Sequence, residues 1–551
     1  MFYKGIIFDL DNTLYDYDLC HNKAINEVFD YLIKTIQVPL DKEYIKSLYD
    51  DISKKIKYEL TNTASSHNKS IYFKQLLETL NIGFSQFQII NNLYWETFYE
   101  NLVCFDGVKD FIIWNKNIGK KIGILTDYET EYQVIKLEKL GLLKYIDILV
   151  TSEEVGIEKP STQMFYTMLQ KLNLNPGDVI MIGDNYEKDI KGAINSNILG
   201  YWFHKNNPNF NNFIDLHSQF VSILNELDKF KKISKYCGER FDLVQAGGGN
   251  TSVKINDLMF IKASGYNLTN IDEINGYTVI NNKLLLEDIN ANKTKDVIEY
   301  NFIGNKRGSI ETFMHSILKK YTVHLHPIQI NRILVSKKAI EIINEVYPNS
   351  LIIEYLTPGI KVCNKIKEKY NNENIIFLLN HGIIITSNDI NHVYNLINDV
   401  LIKFEEYQQI NFDKYKITNI ISKHVNSVFN VSNVSYLCQD EVINKYFTKN
   451  MDLFKQNISF PDSLIYCGVK NLFGLENIHD YKSLYEECPK VIIDNGLIFI
   501  NSHSLTKCKE IEDVLKSNLL ILDSNFQKNY LSADEICFLN NWDAEKYRKL
   551  L

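Results

Sequence analysis

The sequence predicts an α/β protein of more than one domain. Three observations predict it. From Lys121 onward, short apolar runs alternate with amphipathic stretches of helix length, the pattern of a parallel sheet with crossover helices. A glycine turn, Gly247-Gly248-Gly249, then opens a second series of strands and helices. The 551 residues also exceed a single core, at about 150 residues per domain.

The elements follow in order. Residues 3–8 form a short apolar strand that runs into acidic residues. Residues 17–105 read as helices, because apolar residues recur at spacings of three and four in Ala24, Ile25, Val28, Phe29, Leu32 and Ile33, and Gly and Pro are nearly absent. Strands are then expected at 122–125, 146–150 and 179–182, with helices at 130–140, 162–172, 187–195 and 213–232 and a polar loop at 206–212. Beyond the glycine turn, strands are expected at 252–255, 258–262, 277–280, 322–325, 375–378 and 383–386, separated by helices at 309–319, 328–334 and 389–406. A third, smaller alternating section follows about residue 430, with strands at 490–493, 497–500 and 519–522.

Composition narrows the function classes. With 45% hydrophobic and 23% charged residues, disorder is excluded as the main state. A net charge of -8 and the lack of Lys/Arg-rich blocks argue against a nucleic-acid partner. The longest apolar runs, such as 375–379 and 519–522, fall far short of the roughly 20 residues that cross a bilayer. The start of the chain is too short and too acidic for a signal peptide. Nine Cys without a CxxC pair fit reduced thiols, so the expected location is the cytoplasm, with no membrane partner.

The first chemistry lies in Asp9-Leu10-Asp11-Asn12-Thr13, directly after the strand Ile6-Ile7-Phe8. Two carboxylates at the carboxyl end of a strand can face one crevice of an open sheet. One can attack phosphorus and the other can shuttle a proton. Thr126 ends the next strand and offers a hydroxyl, and Lys159-Pro160 begins a helix and supplies a cation. Gly183-Asp184, with Asp189 five residues on, supplies carboxylates for a hard cation. Each alone is weak, but four in order at successive strand ends are specific.

With these motifs, residues 1–228 resemble the haloacid dehalogenase (HAD) superfamily of phosphatases. The resemblance implies a Rossmann-like domain with a helical cap at about 16–105. It implies Asp9 as the nucleophile that becomes an aspartyl-phosphate and Asp11 as general acid/base. Mg²⁺ would sit on Asp9, Asp184 and the Asp11 carbonyl, with Thr126 and Lys159 on the phosphoryl group. Asp127 stands where Asn is commoner, and its extra negative charge is expected to bear on substrate choice.

The second constellation begins at Gly247-Gly248-Gly249-Asn250-Thr251-Ser252, a turn whose backbone can approach a ligand closely. Lys262-Ala263-Ser264-Gly265 makes another small turn. In His324-Leu325-His326, alternate residues of a strand place both imidazoles on one face, where they can share a metal. Asn380-His381-Gly382 can add a third imidazole. Glu311 lies near a helix start beside Ser309, where a carboxylate is also favoured by the helix dipole alone, and His315 falls one turn later as a structural or supporting histidine.

Taken together, 236–410 resemble the class II aldolase/adducin family, and most closely its long subgroup related to rhamnulose-phosphate aldolases. The resemblance implies an α/β aldolase-type domain over 229–430 and a smaller α/β extension over 431–551, which the run Asn541-Trp542-Asp543-Ala544-Glu545 also fits. It implies metal ligands at His324, His326 and His381 for Zn²⁺ or another divalent transition metal, a proton-transferring Glu311, and substrate phosphate on Asn250, Ser264, Gly265 and Ser309. Ile310 stands where some members have a second Ser. The resemblance also implies a homo-oligomer formed through this domain.

The expected function is therefore a bifunctional enzyme acting on small phosphorylated sugars or aldehydes: a Mg²⁺-dependent phosphatase joined to a metal-dependent class II aldolase. A dehydratase, epimerase or decarboxylase on the same second fold is an alternative reading, and a non-catalytic adducin-like binding module is another.

Overall fold

The computed structural model describes residues 3–203, 212–273, 275–303, 306–407 and 410–541. Residues 542–545 and most of the expected loop at 206–212 lie outside them. The chain divides into two compact units, one formed by Met1–Asn225 and Phe302–Asn305, the other by Glu226–Asn301 and Lys306–Leu551.

The first unit is built on five strands, β1 (Gly5–Phe8), β2 (Lys121–Thr126), β3 (Ile148–Thr151), β4 (Val179–Gly183) and β5 (Leu199–Trp202). They are parallel in the order β3-β2-β1-β4-β5. Ile6 pairs with Ile122 on one side and Ile180 on the other. The strands read as near-continuous apolar runs because helices cover both faces, and all five residues of β4 are buried. β5 escapes sequence reading because it is a half-buried edge strand that contains Gly200.

Between β1 and β2 lies the expected helical insert, with helices Tyr17–Lys34, Lys42–Glu59, Lys69–Thr79 and Phe87–Glu100. Asp16, Asp41 and Asn68 cap the first three by accepting from backbone N–H groups of the first turn. Their apolar stripes, including Val28, Phe29, Tyr49, Tyr72, Phe73, Tyr94 and Phe98, close into one core.

The second unit has an eight-stranded sheet. Its strands are β6 (Asn250–Ile255), β7 (Leu258–Lys262), β8 (Tyr277–Asn281), β9 (Asn301–Ile303), β10 (Tyr321–Leu325), β11 (Leu351–Ile353), β12 (Ile375–Leu378) and β13 (Gly382–Ser387). The order is β11-β12-β13-β10-β6-β7-β8-β9. β10 is central and antiparallel to both neighbours, pairing His324 with Ile384 of β13 and Asn250 of β6. The helix expected at 309–319 is only Thr312–Ser316. The chain on either side, at 307–309 and 318–320, instead bonds to the sheet, as in Ser264 N–H to Arg307 O at 2.8 Å and Lys254 N–H to Lys320 O at 2.9 Å.

The same unit carries a separate four-stranded sheet of β14 (Val434–Leu437), β15 (Leu472–Phe473), β16 (Val491–Asp494) and β17 (Leu497–Ser502), in the order β14-β17-β16-β15. The strand expected at Leu519–Leu522 is instead the end of helix Leu505–Leu522. A four-residue apolar run cannot by itself distinguish the two. Cys508, Ile511, Leu515, Leu519 and Leu522 are buried together at helical spacing against β14 and β17.

Candidate active sites

In the first unit, β1, β2 and β4 end side by side, and each delivers one motif to the same crevice. Asp9 follows β1 and is buried. Its Oδ1 accepts a bond from Lys159 Nζ at 2.6 Å, and the same ammonium reaches Asp189 Oδ1 at 2.6 Å. The Thr13 hydroxyl lies 3.1 Å from Asp9 Oδ2 and 3.2 Å from Asp184 Oδ1, and accepts the Asp184 N–H at 3.0 Å. Asp9, Asp184 and Asp189 each offer a carboxylate oxygen within 4.8 Å of the others. Burial, reinforced by Asp189 and Asp184, holds the Asp9 carboxyl well above its ordinary value despite Lys159. Burial, and then Asp189, pushes Asp184 up to about 6. The Lys159 ammonium is held well above its ordinary value: burial opposes the charge, but Asp189, Asp9 and Asp127 outweigh it. Three carboxyls around one ammonium in a buried crevice disfavour the ionisation of all three together.

Asp11 turns toward the helix Thr130–Lys139 that follows β2. Lys136 Nζ bonds both carboxylate oxygens at 2.8 and 3.0 Å, Gln133 Nε2 donates at 3.3 Å, and the Tyr15 hydroxyl also donates. Burial raises this carboxyl, but Lys136, Tyr15 and Gln133 together bring it below its ordinary value. Gln133 also donates to Thr126 Oγ1 at 2.7 Å, so it joins Thr126 to Asp11.

In the second unit, three imidazoles meet at the end of β10. His324 Nε2 lies 2.9 Å from His326 Nε2 and 3.3 Å from His381 Nε2. His324 Nδ1 is 3.0 Å from the Ile383 carbonyl, which fixes the proton there and leaves the Nε2 lone pair facing its partners. His381 sits in the turn between β12 and β13, made possible by Asn380 at φ 58 and held by Asn331 donating to its carbonyl at 3.1 Å. Glu311 Oε1 lies 3.2 Å from His324 Nε2 and 3.3 Å from His381 Nε2. Burial pushes the Glu311 carboxyl up, but His324 and His381 hold it well below its ordinary value. Burial, then His324 and His381, depresses His326 to about 3. Asn250 Nδ2 donates to Glu311, and its own Oδ1 is buried with no partner among the described residues.

The glycines have steric reasons. A Cβ at Gly248 would lie 3.0 Å from His326 Nδ1, and one at Gly382 would lie 2.8 Å from His326 Cδ2 and 3.2 Å from His324 Cε1. Lys262 Nζ ties the glycine turn to the next one, donating to Gly247 O at 3.0 Å and Tyr266 O at 2.8 Å.

Two family models match the chain: haloacid dehalogenase-like hydrolase over residues 3–197, and the class II aldolase and adducin N-terminal domain over residues 231–401. A ribulose-1,5-bisphosphate 5-phosphatase from Halopiger xanaduensis is 34% identical over 192 residues, which is 34% of this chain and 80% of that protein. The chain belongs to the haloacid dehalogenase-like hydrolases. Its second unit carries a class II aldolase and adducin domain. A glyceraldehyde 3-phosphate phosphatase from Methanothermobacter thermautotrophicus is 26% identical over 197 residues, 35% of this chain and 82% of that protein. A solved class II aldolase domain from Thermoplasma acidophilum is 26% identical and covers 33% of this chain and 92% of its own, with a TM-score of 0.31.

In the hydrolase domain Lys159 bonds Asp9, Asp184 clusters with Asp9, and Gln133 joins Thr126 to Asp11. Its oxygen donors fit a hard cation such as Mg²⁺. Asp189, offered by its motif as a carboxylate for a hard cation but absent from the set that the resemblance implied, joins this cluster. Asp127 is corrected: its carboxylate is no free charge, because it pairs with Lys188 at 2.8 Å and accepts the Lys159 N–H at 3.0 Å. Lys136 was missed. Its signal was available, since Gln133, Lys136 and Leu137 share the buried face of their helix, where two polar residues are out of place.

In the aldolase domain, His324, His326 and His381 form one cluster, and Glu311 and Asn250 face it. Three imidazoles with a nearby carboxylate fit a zinc-type ion that keeps an open position. Ser264 and Gly265 are exposed, and Ser309 is buried. Backbone pairing sets these turns side by side, with Ser264 N–H on Arg307 O at 2.8 Å and Ser309 N–H on Lys262 O at 3.3 Å. His315 is fully buried, with Nδ1 2.8 Å from Ser252 Oγ. No helix among the described residues is long and apolar enough to cross a membrane.

Proposed function

We propose that the chain is a bifunctional enzyme of small phosphorylated carbohydrates. The module at 1–228 hydrolyses a phosphate ester, and the module at 229–430, with its extension at 431–551, makes or breaks a C–C bond beside a ketone. A divalent cation would supply charge neutralisation among Asp9, Asp184 and the Asp11 carbonyl, and Lewis acidity toward a carbonyl among the three histidines.

In the first site, Asp9 attacks phosphorus and the ester P–O bond breaks, with Asp11 as general acid and base: its protonated form serves the leaving oxygen, and its carboxylate, the form that Lys136 favours, serves the water. Water, losing a proton to Asp11, then releases phosphate and restores Asp9. Lys159 and Thr126 face the charge that develops on the phosphoryl oxygens. In the second site, Glu311 moves the proton at the carbon next to the carbonyl, and Asn250, Ser264, Gly265 and Ser309 hold the substrate phosphate.

The observation that carries the lyase reading is Glu311, a buried carboxylate set 3.2 Å from one imidazole and 3.3 Å from another. A binding module has no need of that arrangement. The named activity of the Halopiger relative supports ketose bisphosphates as substrates. Loss of the phosphate remote from the ketone would leave a ketose 1-phosphate, whose cleavage yields a triose phosphate and an aldehyde. The hydrolase would therefore act first. The lyase is proposed to assemble as a homo-oligomer.

The test is product analysis of ketose phosphates with protein loaded with Mg²⁺ and with Zn²⁺. Phosphate release and aldehyde formation are expected. Metal-loaded protein that cleaves no ketose phosphate would sink the lyase.

A further inference from the structure

We propose that Lys69, with the hydroxyl of Tyr49, forms an anion subsite in the helical insert that takes a second phosphate or carboxylate on the phosphatase substrate. The inference rests on the phosphatase reading of Asp9.

Lys69 opens the helix Lys69–Thr79, and its side chain is withdrawn from solvent, with the residue 6% exposed. The other buried lysines at the hydrolase core have partners: Lys136 holds Asp11, Lys159 holds Asp9 and Asp189, and Lys120 donates to the Tyr3 carbonyl at 2.6 Å. Lys69 Nζ makes no hydrogen bond or ion pair among the described residues and lies 5.0 Å from the Tyr72 ring centroid and 5.9 Å from that of Tyr17. A buried ammonium without an anion is costly. Burial, then Lys57 and Lys136, pushes it down to about 7. An arriving anion would reverse that push, and the helix N-terminus would add to the attraction.

A second, independent group faces the same region. The Tyr49 hydroxyl is buried and without a partner among the described residues. Its ring lies 5.9 Å from that of Tyr72, and Tyr17 and Tyr72, the rings that flank Lys69, also act electrostatically on its phenol.

The placement relative to the chemistry follows from Tyr17. Lys136, which holds Asp11, lies 5.3 Å from the Tyr17 centroid and Lys69 5.9 Å from it, so the two ammoniums neighbour the same ring. Asp11 protonates the leaving oxygen, so the leaving group extends to this side. An anion at Lys69 therefore belongs to the part of the substrate that departs, and the subsite would select doubly anionic esters over singly anionic ones.

The test uses the full chain with Mg²⁺ and two substrate pairs: 3-phosphoglycerate against glycerol 3-phosphate, and fructose 1,6-bisphosphate against fructose 6-phosphate. The readout is the ratio of kcat/KM within each pair. Wild type is expected to prefer the doubly anionic member of at least one pair, and the pair that responds tells carboxylate from phosphate. Lys69→Met should lower that preference about 10- to 100-fold, the worth of a hydrogen-bonded charge. Lys69→Arg should retain most of it, and Tyr49→Phe should lower it less than Lys69→Met. No preference in either pair, or equal loss on both members in Lys69→Met, would overturn the subsite. Phosphate release that persists in Asp9→Asn would overturn the phosphatase reading itself, and the subsite with it.

Discussion

Lys136 grips both carboxylate oxygens of Asp11, at 2.8 and 3.0 Å, across 125 residues of chain. The ammonium is enclosed by the rings of Tyr15, Tyr17, Phe98 and Tyr128 at 5.3 to 5.9 Å. Its one carboxylate partner is the proposed general acid/base, whose rotamer and charge it therefore sets. Lys136→Met should reduce phosphate turnover about 10- to 100-fold, less than Asp11→Asn, which removes a general acid worth about 10²- to 10⁴-fold. Because the pair acts as a unit, the double variant should be barely slower than Asp11→Asn alone. Additive losses would show that Lys136 acts elsewhere.

Asp9→Asn keeps the shape of the nucleophile but not its charge, and phosphate release should fall at least about 10³-fold. The two motif sets lie in different units, so this variant should leave C–C chemistry intact and His324→Ala should leave phosphate release intact. A folded variant that lost both activities would refute two independent sites.

Removing a ligand from the imidazole cluster should release its metal. His324→Ala with His381→Ala should leave purified protein without a bound transition ion by elemental analysis. Glu311→Gln should keep the ion and lose proton transfer. Metal content unchanged in the double histidine variant would remove the metal site.

Gly382→Ala tests the same site by crowding. The added methyl would press on the Leu325 carbonyl oxygen and sit 2.8 Å from His326 Cδ2 and 3.2 Å from His324 Cε1, so the backbone that carries both imidazoles must shift with them. Metal affinity should drop about 10-fold or more, in line with other changes that disturb ligand orientation. A competitive chelator titration reads this directly, and wild-type affinity would show that the ligands tolerate the displacement.

Glu239 predicts a pH dependence of stability. Burial pushes its carboxyl up to about 7, although Ser422, the Ser435 N–H and Asn419 bond to it and oppose the shift. A folded value above the unfolded one means full stability below about pH 4.5 and a loss of about 3 kcal/mol as pH rises to 7. Urea midpoints of the wild type should fall between pH 5 and pH 8 more steeply than those of Glu239→Gln, which cannot titrate. Parallel curves would show that the group is not shifted.

The hydrolase motifs were legible because each stands at the end of an apolar strand, and a parallel sheet aligns such ends without further information. β1, β2 and β4 bring Asp9, Thr126 and Asp184 together by that rule alone. His324 and His326 were legible from strand alternation. Leu519–Leu522 was misread because four apolar residues carry no period. The helix declared itself only through residues back to Cys508 packing on β14 and β17.

The sequence by itself determined the α/β class, the order of the motifs and the chemistry of their side chains, since these depend on local periodicity and residue type. Only the tertiary structure decided which charges are compensated. The extra negative charge of Asp127 is paired with Lys188, and Asp11 is paired with Lys136. The burial of Lys69 among rings leaves no mark in its local sequence. Partners distant in sequence leave no local pattern, and the strength of a charge depends on burial and on the neighbours that folding places beside it.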